Sequence, residues 1–347
     1  MIYFRADGNS QIGMGHLLRC ASIAQRVLKY TKCIFLCSDD KSAQVVRKLR
    51  IDTEVLNTAP FSIEEADLIG SKLNGNDLIL TDSYLVTADY LLRLKEKSKV
   101  VYIDDLVKDA FDVDALINYN SYASKEEYLY LYKNTPPANL PAFWLGSRYV
   151  PLREEFSSTK HFDKKQNEIL ITAGGSDSLN LAGSIVSVLS TRILDSDVVF
   201  NVVAGAMNPN YDKLTGIAQK DSRIKIFRSV DNMAALMSEC TMAVSAGGST
   251  CYELCAMELP FIVFSYADNQ IKLSKDMGQK GAAIYAGHIG DEESLNEVID
   301  IIACKCSEMI KDVSLRETMI KKAQNMVDSK GADRLAKALI KMMEGLV

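Results

Sequence analysis

Short apolar, β-branched runs alternate with amphipathic stretches from one end of the chain to the other. In the first half the runs are MIYF, KCIFLC, DLILTD, KVVYIDD and ALINYN. Between them lie HLLRCASIAQRVLKY, DKSAQVVRKLR and TADYLLRLKEK. In the first of these stretches Leu17, Cys20, Ala21, Ala24 and Leu28 recur at helical spacing, which predicts one buried face. The second half restarts the pattern with EILITA, VVFNVVAG, IKIFRSV, TMAVSA, PFIVFSY and AAIYAG, each followed by a helical segment. Strand–helix alternation of this kind builds parallel sheets covered by helices on both faces.

A chain of 347 residues, 48% hydrophobic, has the length and apolar content for two such domains. The stretch YVPLREEFSSTKHFDKKQN is polar and loses periodicity beyond residue 156, as a linker does. The expected organisation is a first α/β domain over residues 1–150, a linker over 151–166 and a second α/β domain over 167–330. Both are doubly wound. Ligands of such sheets sit at the carboxyl ends of the strands, so the expected site is the cleft between the domains.

Charge narrows the partners. Forty Lys and Arg against 45 Asp and Glu give a net charge of −5, which argues against a nucleic-acid-binding surface. No apolar run approaches the roughly 20 residues of a membrane span. MIYFRADG is too short and too early for a signal peptide, and Asp7 interrupts it. The eight cysteines form no Cys-x-x-Cys pair, so they read as reduced core residues of a cytoplasmic protein rather than zinc ligands.

Three glycine loops carry the chemistry. FRADGNSQIGMGHLLRC holds Gly13 and Gly15, with His16, one of three histidines, where a helix should begin. A dinucleotide fingerprint is a poor reading of it. Leu18 stands at the third glycine position, and the loop from Phe4 to Gly13 is too long, although Asp39 follows at the distance of a ribose-binding acid. Better phosphate loops lie in the second half: Gly174-Gly175-Ser176-Asp177, and Gly247-Gly248-Ser249-Thr250 with Glu253 one turn on. Glycines admit an anion to the backbone, and a helix N-terminus offers N–H donors and partial positive charge, so a diphosphate can bind without a metal. Glu253 is placed to accept from ribose hydroxyls. Asp112 and Asp114 form an Asp-x-Asp pair, but no glycine loop or third ligand accompanies them.

Taken together, FRADGNSQIGMGHLLRC, TDSY, YIDD, INYNSYA, YVPLREEF, AGGSD, SAGGSTCYE and ADNQ resemble the UDP-2,4-diacetamido-2,4,6-trideoxy-β-L-altropyranose hydrolases of pseudaminic acid biosynthesis. These are relatives of the GT-B glycosyltransferases that use UDP-GlcNAc. The resemblance runs from Met1 to about Gln270. It implies a GT-B-like fold with a C-terminal helix, residues 331–347, returning to the first domain. It further implies hydrolysis of a UDP-sugar at C1, with inversion and without a cofactor or metal, releasing UDP and the free sugar for surface-glycan synthesis. On the same footing His16 is the implied base, and Tyr84 and Asn269 belong to the sugar site.

Physical chemistry fits that role for His16. A helix N-terminus favours the neutral ring that a general base requires, and side chains there lean back over the preceding loop. Asp7 is expected to bond His16 or a sugar amide, and Arg5 to meet substrate or pair with Asp7 as a structural link. Asn118 and Asn120 are expected donors to the acetamido groups. Gly13, Gly15, Gly174, Gly175, Ser176, Asp177, Gly248, Ser249, Thr250, Glu253 and Gln270 complete the expected substrate contacts. Three other readings compete: a GT-B glycosyltransferase with the same base on a sugar hydroxyl, a hydrolysing UDP-sugar 2-epimerase, which would need carboxylates around C2 that the sequence does not mark, and a non-catalytic sugar-nucleotide-binding protein.

Overall fold

A computed structural model describes residues 1–8, 13–158, 167–205 and 208–346. Within them the chain forms two compact units, residues 1–153 with 329–347, and residues 154–328. His161 and the rest of 159–166 lie outside the described residues.

The first unit carries seven parallel strands: β1 (Ile2–Ala6), β2 (Cys33–Cys37), β3 (Thr53–Val55), β4 (Leu78–Asp82), β5 (Lys99–Ile103), β6 (Ala115–Asn118) and β7 (Ala142–Leu145). Their order is β3-β2-β1-β4-β5-β6-β7. Helices α1 (Gly15–Val27), α2 (Asp40–Lys48), α3 (Ile63–Gly70), α4 (Ala88–Lys95) and α5 (Lys125–Leu131) connect them. β1 and β4 are buried along their whole length, as central strands between two helical layers must be. The register pairs Ala6 with Asp82, bringing the carboxyl ends of β1 and β4 level. From β1 the chain winds outward to β2 on one side and to β4 on the other, so a topological switch point opens between them.

On α1 the buried face is Leu17, Cys20, Ala21, Ile23, Ala24 and Val27. Leu28, expected on that face, is the C-cap and is exposed. Asp39 caps α2 by accepting from the backbone N–H of Ser42 at 2.8 Å, which disposes of it as a ribose-binding acid. Asp112 pairs with Lys95, and Asp114 accepts from the N–H of Val100, so both have structural partners.

The second unit begins with α6 (Glu155–Ser158) and builds a six-stranded parallel sheet, ordered β10-β9-β8-β11-β12-β13. Its strands are β8 (Asn167–Thr172), β9 (Val198–Ala204), β10 (Ile224–Arg228), β11 (Met242–Ala246), β12 (Phe261–Ser265) and β13 (Ala283–His288). The helices are α7 (Leu181–Arg192), α8 (Tyr211–Ala218), α9 (Met233–Glu239), α10 (Thr250–Ala256), α11 (Asp268–Gln279), α12 (Glu292–Lys311) and α13 (Val313–Gln324). β8 and β11 flank this sheet's switch point, and each runs directly into one of the two Gly-Gly-Ser loops.

The last helix, α14 (Gly331–Met343), belongs to the first unit and packs along α1. Arg26 of α1 pairs with Asp333 at 3.4 Å, and Arg334 donates to the carbonyl of Arg148. A side chain at Gly331 would meet the Val150 carbonyl at 2.1 Å, so only glycine admits this approach. None of the described helices is long and apolar enough to cross a membrane.

Candidate active site

In the first unit the site gathers at the carboxyl ends of β1, β4, β5 and β6. Gly13 has φ +76°, a conformation that glycine adopts without a Cβ clash, and the chain turns from it into α1. His16 stands in the first turn of α1 and is buried. Its Nδ1 lies 2.7 Å from Oδ1 of Asp82, the last residue of β4. Burial by itself would raise the Asp82 carboxyl, but Arg19 and then His16 outweigh it and hold the group at about 2. An ionised carboxylate at that distance accepts a proton-bearing nitrogen. Nδ1 also lies 3.1 Å from Nη2 of Arg19, a pure donor, but the shorter contact to the ionised Asp82 oxygen governs and assigns the ring hydrogen to Nδ1 and the basic site to Nε2. Among the described residues Nε2 has no hydrogen-bond partner.

Tyr84 packs its ring edge against His16, with centroids 4.6 Å apart and planes at 88°. Its side chain is half exposed, and its hydroxyl lies 3.4 Å from Oδ2 of Asp105. Desolvation, with Asp105 adding to it, pushes the phenol up to about 12, so Tyr84 is a neutral donor across the physiological range. The structure thus brings Tyr84 and His16 together.

Arg19, one turn beyond His16, is the group that sequence reasoning missed. Its Nε and Nη2 clasp both oxygens of Asp82, Nη2 at 2.6 Å from Oδ1. Its Nη1 reaches Oδ2 of Asp105 at 2.7 Å and the hydroxyl of Tyr119. The i, i+3 spacing of His16 and Arg19 was the available signal, together with the acids of TDSY and YIDD.

Three expected contacts are corrected. Arg5 is fully buried, donates from Nε and Nη2 to the two oxygens of Glu65, and pairs with Asp7 at 2.7 Å. It is a structural link on the central strand β1, and no face of it is open to substrate. Asp7 is likewise buried, accepts from the N–H of Ser38, and leaves the His16 contact to Asp82. Asn118 is fully buried: its amide donates to Tyr128, and its carbonyl accepts from the backbone and side chain of Asn120. It therefore positions Asn120, the residue after Tyr119.

In the second unit the loops after β8, β11 and β12 lie side by side, since those strands are neighbours. Gly174, Gly175 and Ser176 are exposed, and Gly174 has φ +87°. Asp177 departs from the expectation of a substrate contact. It is buried and accepts from the N–H groups of Leu181 and Ala182, and burial raises its carboxyl despite those donors. The start of α7 is thereby capped from within, which removes it as an anion site.

The second loop is different. Gly247 admits α11, for a Cβ there would meet Ser274 Oγ at 2.0 Å. Beyond it the backbone N–H groups of Gly248, Ser249 and Thr250 find no acceptor among the described residues, and Ser249 makes no side-chain cap. Glu253 follows in the first turn of α10 and is half buried. Asn269 is exposed in the first turn of α11. Gln270 accepts from the N–H of Tyr266 at 3.0 Å, leaving its NH₂ as a donor. Tyr266 in turn donates to the carbonyl of Ala173, tying the β12 loop to the β8 loop.

Comparison with known proteins bears on the fold and on the resemblance drawn from the motifs. Residues 168–335 match the glycosyltransferase family 28 C-terminal domain. Over 291 residues, 81% of this chain and 97% of the relative, the sequence is 27% identical to the UDP-2,4-diacetamido-2,4,6-trideoxy-β-L-altropyranose hydrolase of Campylobacter jejuni. It is 26% identical, over 78% of this chain and 45% of the relative, to a Helicobacter pylori protein. That protein is named as pseudaminic acid cytidylyltransferase and the same hydrolase. Among solved structures it superimposes on Acinetobacter baumannii MurG with a TM-score of 0.67 at 12% identity, covering 98% of this chain and 99% of that one. The fold is therefore GT-B-like, and the resemblance drawn from the motifs is borne out.

Proposed function

We propose that this chain, similar to those altropyranose hydrolases, hydrolyses a UDP-linked 2,4-diacetamido-2,4,6-trideoxy sugar at C1. The observation that carries the reading is the His16–Asp82 pair, with Nδ1 committed to the carboxylate and Nε2 left as base. Nε2 takes a proton from water as its oxygen bonds to C1 on the face opposite UDP. The C1–O bond to the β-phosphate breaks, UDP departs with that electron pair, and C1 inverts. The proton on Nε2 passes to solvent. A positioned base of this kind supplies about 10²–10⁴-fold in rate, with the remainder from orienting water and stabilising departing UDP.

UDP is assigned to the second unit. The N–H groups of Gly248, Ser249 and Thr250 face the diphosphate, Glu253 accepts from the ribose, and Asn269 and Gln270 donate from the start of α11. On the first unit Tyr84, packed against His16, and Asn120 meet the sugar. The product, a free diacetamido sugar, suits condensation to pseudaminic acid. The family 28 match favours one other reading, transfer to a sugar hydroxyl by the same base. NMR of the products from UDP-2,4-diacetamido-2,4,6-trideoxy-β-L-altropyranose, with and without acceptor sugars, decides between them. Free sugar of inverted C1 configuration supports hydrolysis, a disaccharide supports transfer, and unchanged substrate refutes both.

A further inference from the structure

We propose that Arg19 is a positioning residue: it fixes the Asp82 carboxylate so that His16 holds its proton on Nδ1 and presents Nε2 to the reaction. This rests on the hydrolase reading for its kinetic consequence, while the orientation of the ring is testable without turnover.

Both Asp82 oxygens are engaged. Oδ1 faces His16 Nδ1 and Arg19 Nη2, and Oδ2 faces Arg19 Nε. A planar guanidinium fork matches a carboxylate in one orientation, which an ammonium cannot impose. The fork itself is anchored. Nη1 reaches Asp105 at the end of β5 and Tyr119 at the end of β6, and the guanidinium carbon lies 5.3 Å from the Tyr119 ring centre. One side chain on α1 thus joins the ends of β4, β5 and β6, and His16 is carried on the same helix one turn away.

The charges explain why two acids are present. Arg19 with Asp82 alone would be a neutral pair, offering little to an imidazolium. Asp105 supplies the second negative charge, so Arg19, Asp82 and Asp105 together carry one net negative charge beside His16. That charge stabilises the imidazolium as Nε2 takes its proton, and Arg19 keeps the two carboxylates from repelling each other. Arg19 touches neither water nor sugar in this scheme: its Nη2 lies 3.1 Å from Nδ1 itself and donates at 2.6 Å to the Asp82 oxygen that Nδ1 shares, and it acts through that carboxylate.

The test is ¹⁵N NMR of the His16 ring in the full chain, assigned by the spectrum lost in His16→Asn, alongside steady-state kinetics. Wild type should show the Nδ1–H tautomer. Arg19→Lys keeps the charge and loses the fork. It should populate both tautomers and lower kcat about 10- to 100-fold, the usual effect of removing a residue that orients a reacting group, with KM within about twofold. Should Arg19→Lys fail to fold, Arg19→Gln combined with Asp105→Asn removes one half-buried acid with the cation and is read the same way. Asp105→Asn alone should keep the Nδ1–H tautomer but lower kcat, since the fork on Asp82 survives and the net negative charge does not. A folded Arg19 variant with an unaltered tautomer overturns the proposal, as does an altered tautomer with wild-type kcat. If wild type leaves the UDP-sugar intact, the hydrolase reading fails while the tautomer measurement still judges Arg19.

Discussion

Oδ1 of Asp82 lies 2.7 Å from Nδ1 of His16, although the two residues are 66 positions apart and sit on a strand and a helix. The parallel register of β1 and β4 puts Asp82 level with Ala6, just where the chain leaves the sheet for the loop that leads to α1. Replacing Asp82 by Asn keeps the shape but removes the acceptor pair that holds Nδ1–H. Turnover should fall by about 10²–10⁴-fold while UDP affinity stays unchanged, since UDP is assigned to the other unit. Isothermal calorimetry with UDP and a coupled UDP-release assay check the two halves. Equal turnover in the two proteins would leave the pair a packing contact.

The same carboxylate sets a dependence on acid. Folded Asp82 titrates at about 2, against an ordinary value of 3.8, so the folded state binds this proton less readily than the unfolded chain. The stabilisation is therefore complete above about pH 4 and is lost as pH falls through 2. It amounts to about 2 kcal/mol for a group this deeply buried. Urea unfolding at pH 5 and at pH 2.5 should show the gap between wild type and Asp82→Asn narrowing on acidification. A gap independent of pH would mean Asp82 is not held ionised by its neighbours.

Glu253 is assigned to the ribose, where a carboxylate accepts from two hydroxyls. Glu253→Ala should weaken UDP binding by about 1–3 kcal/mol, the range for charged hydrogen bonds. Calorimetry giving wild-type affinity would exclude the assignment.

Arg5 and Glu65 carry the opposite expectation. Both side chains are fully buried; Tyr90 and the backbone N–H of Phe61 also donate to Glu65, and the Arg5 guanidinium lies over the Phe61 ring at 4.2 Å. Glu65→Ala leaves a cation buried beside Asp7 alone, which should cost about 3–5 kcal/mol of stability. UDP affinity should not change. Urea midpoints and calorimetry test this, and weakened UDP binding in a fully stable variant would return Arg5 to the ligand site.

What the sequence disclosed follows from where its signals are local. All six strands of the second unit were legible because each is an apolar or β-branched run of five or more residues followed by a helical segment, although β10 and β13 are only partly buried. In the first unit β3 and β7 escaped notice. They are the sheet's two edges, and β3 has only Thr53, Glu54 and Val55, none fully buried. His16 stood out by its glycine setting. Its partner Asp82 did not, because only the β1–β4 register joins them. Arg5 looked like a ligand contact because it lies near a strand's carboxyl end, and its burial depends on where α3 places Glu65. Asp177 looked like part of an anion loop until the left-handed turn at Asn180, φ 57°, was seen to bring α7 back onto its carboxylate.

The last prediction concerns His16 itself. His16→Asn retains a donor for Asp82 and should fold normally, since an amide N–H can occupy the place of Nδ1–H. UDP should bind with wild-type affinity, because Gly248, Ser249, Thr250 and Glu253 belong to the other unit. Turnover should fall by about two to four orders of magnitude, the range for loss of a general base. Tyr84 cannot take its place, for a phenol held at about 12 is protonated wherever the enzyme is assayed. In ¹⁸O-labelled water the label should enter the sugar and not UDP, because attack is at C1. Label in UDP would mean that water reaches phosphorus, and near-normal turnover in His16→Asn would leave the imidazole a structural cap on α1.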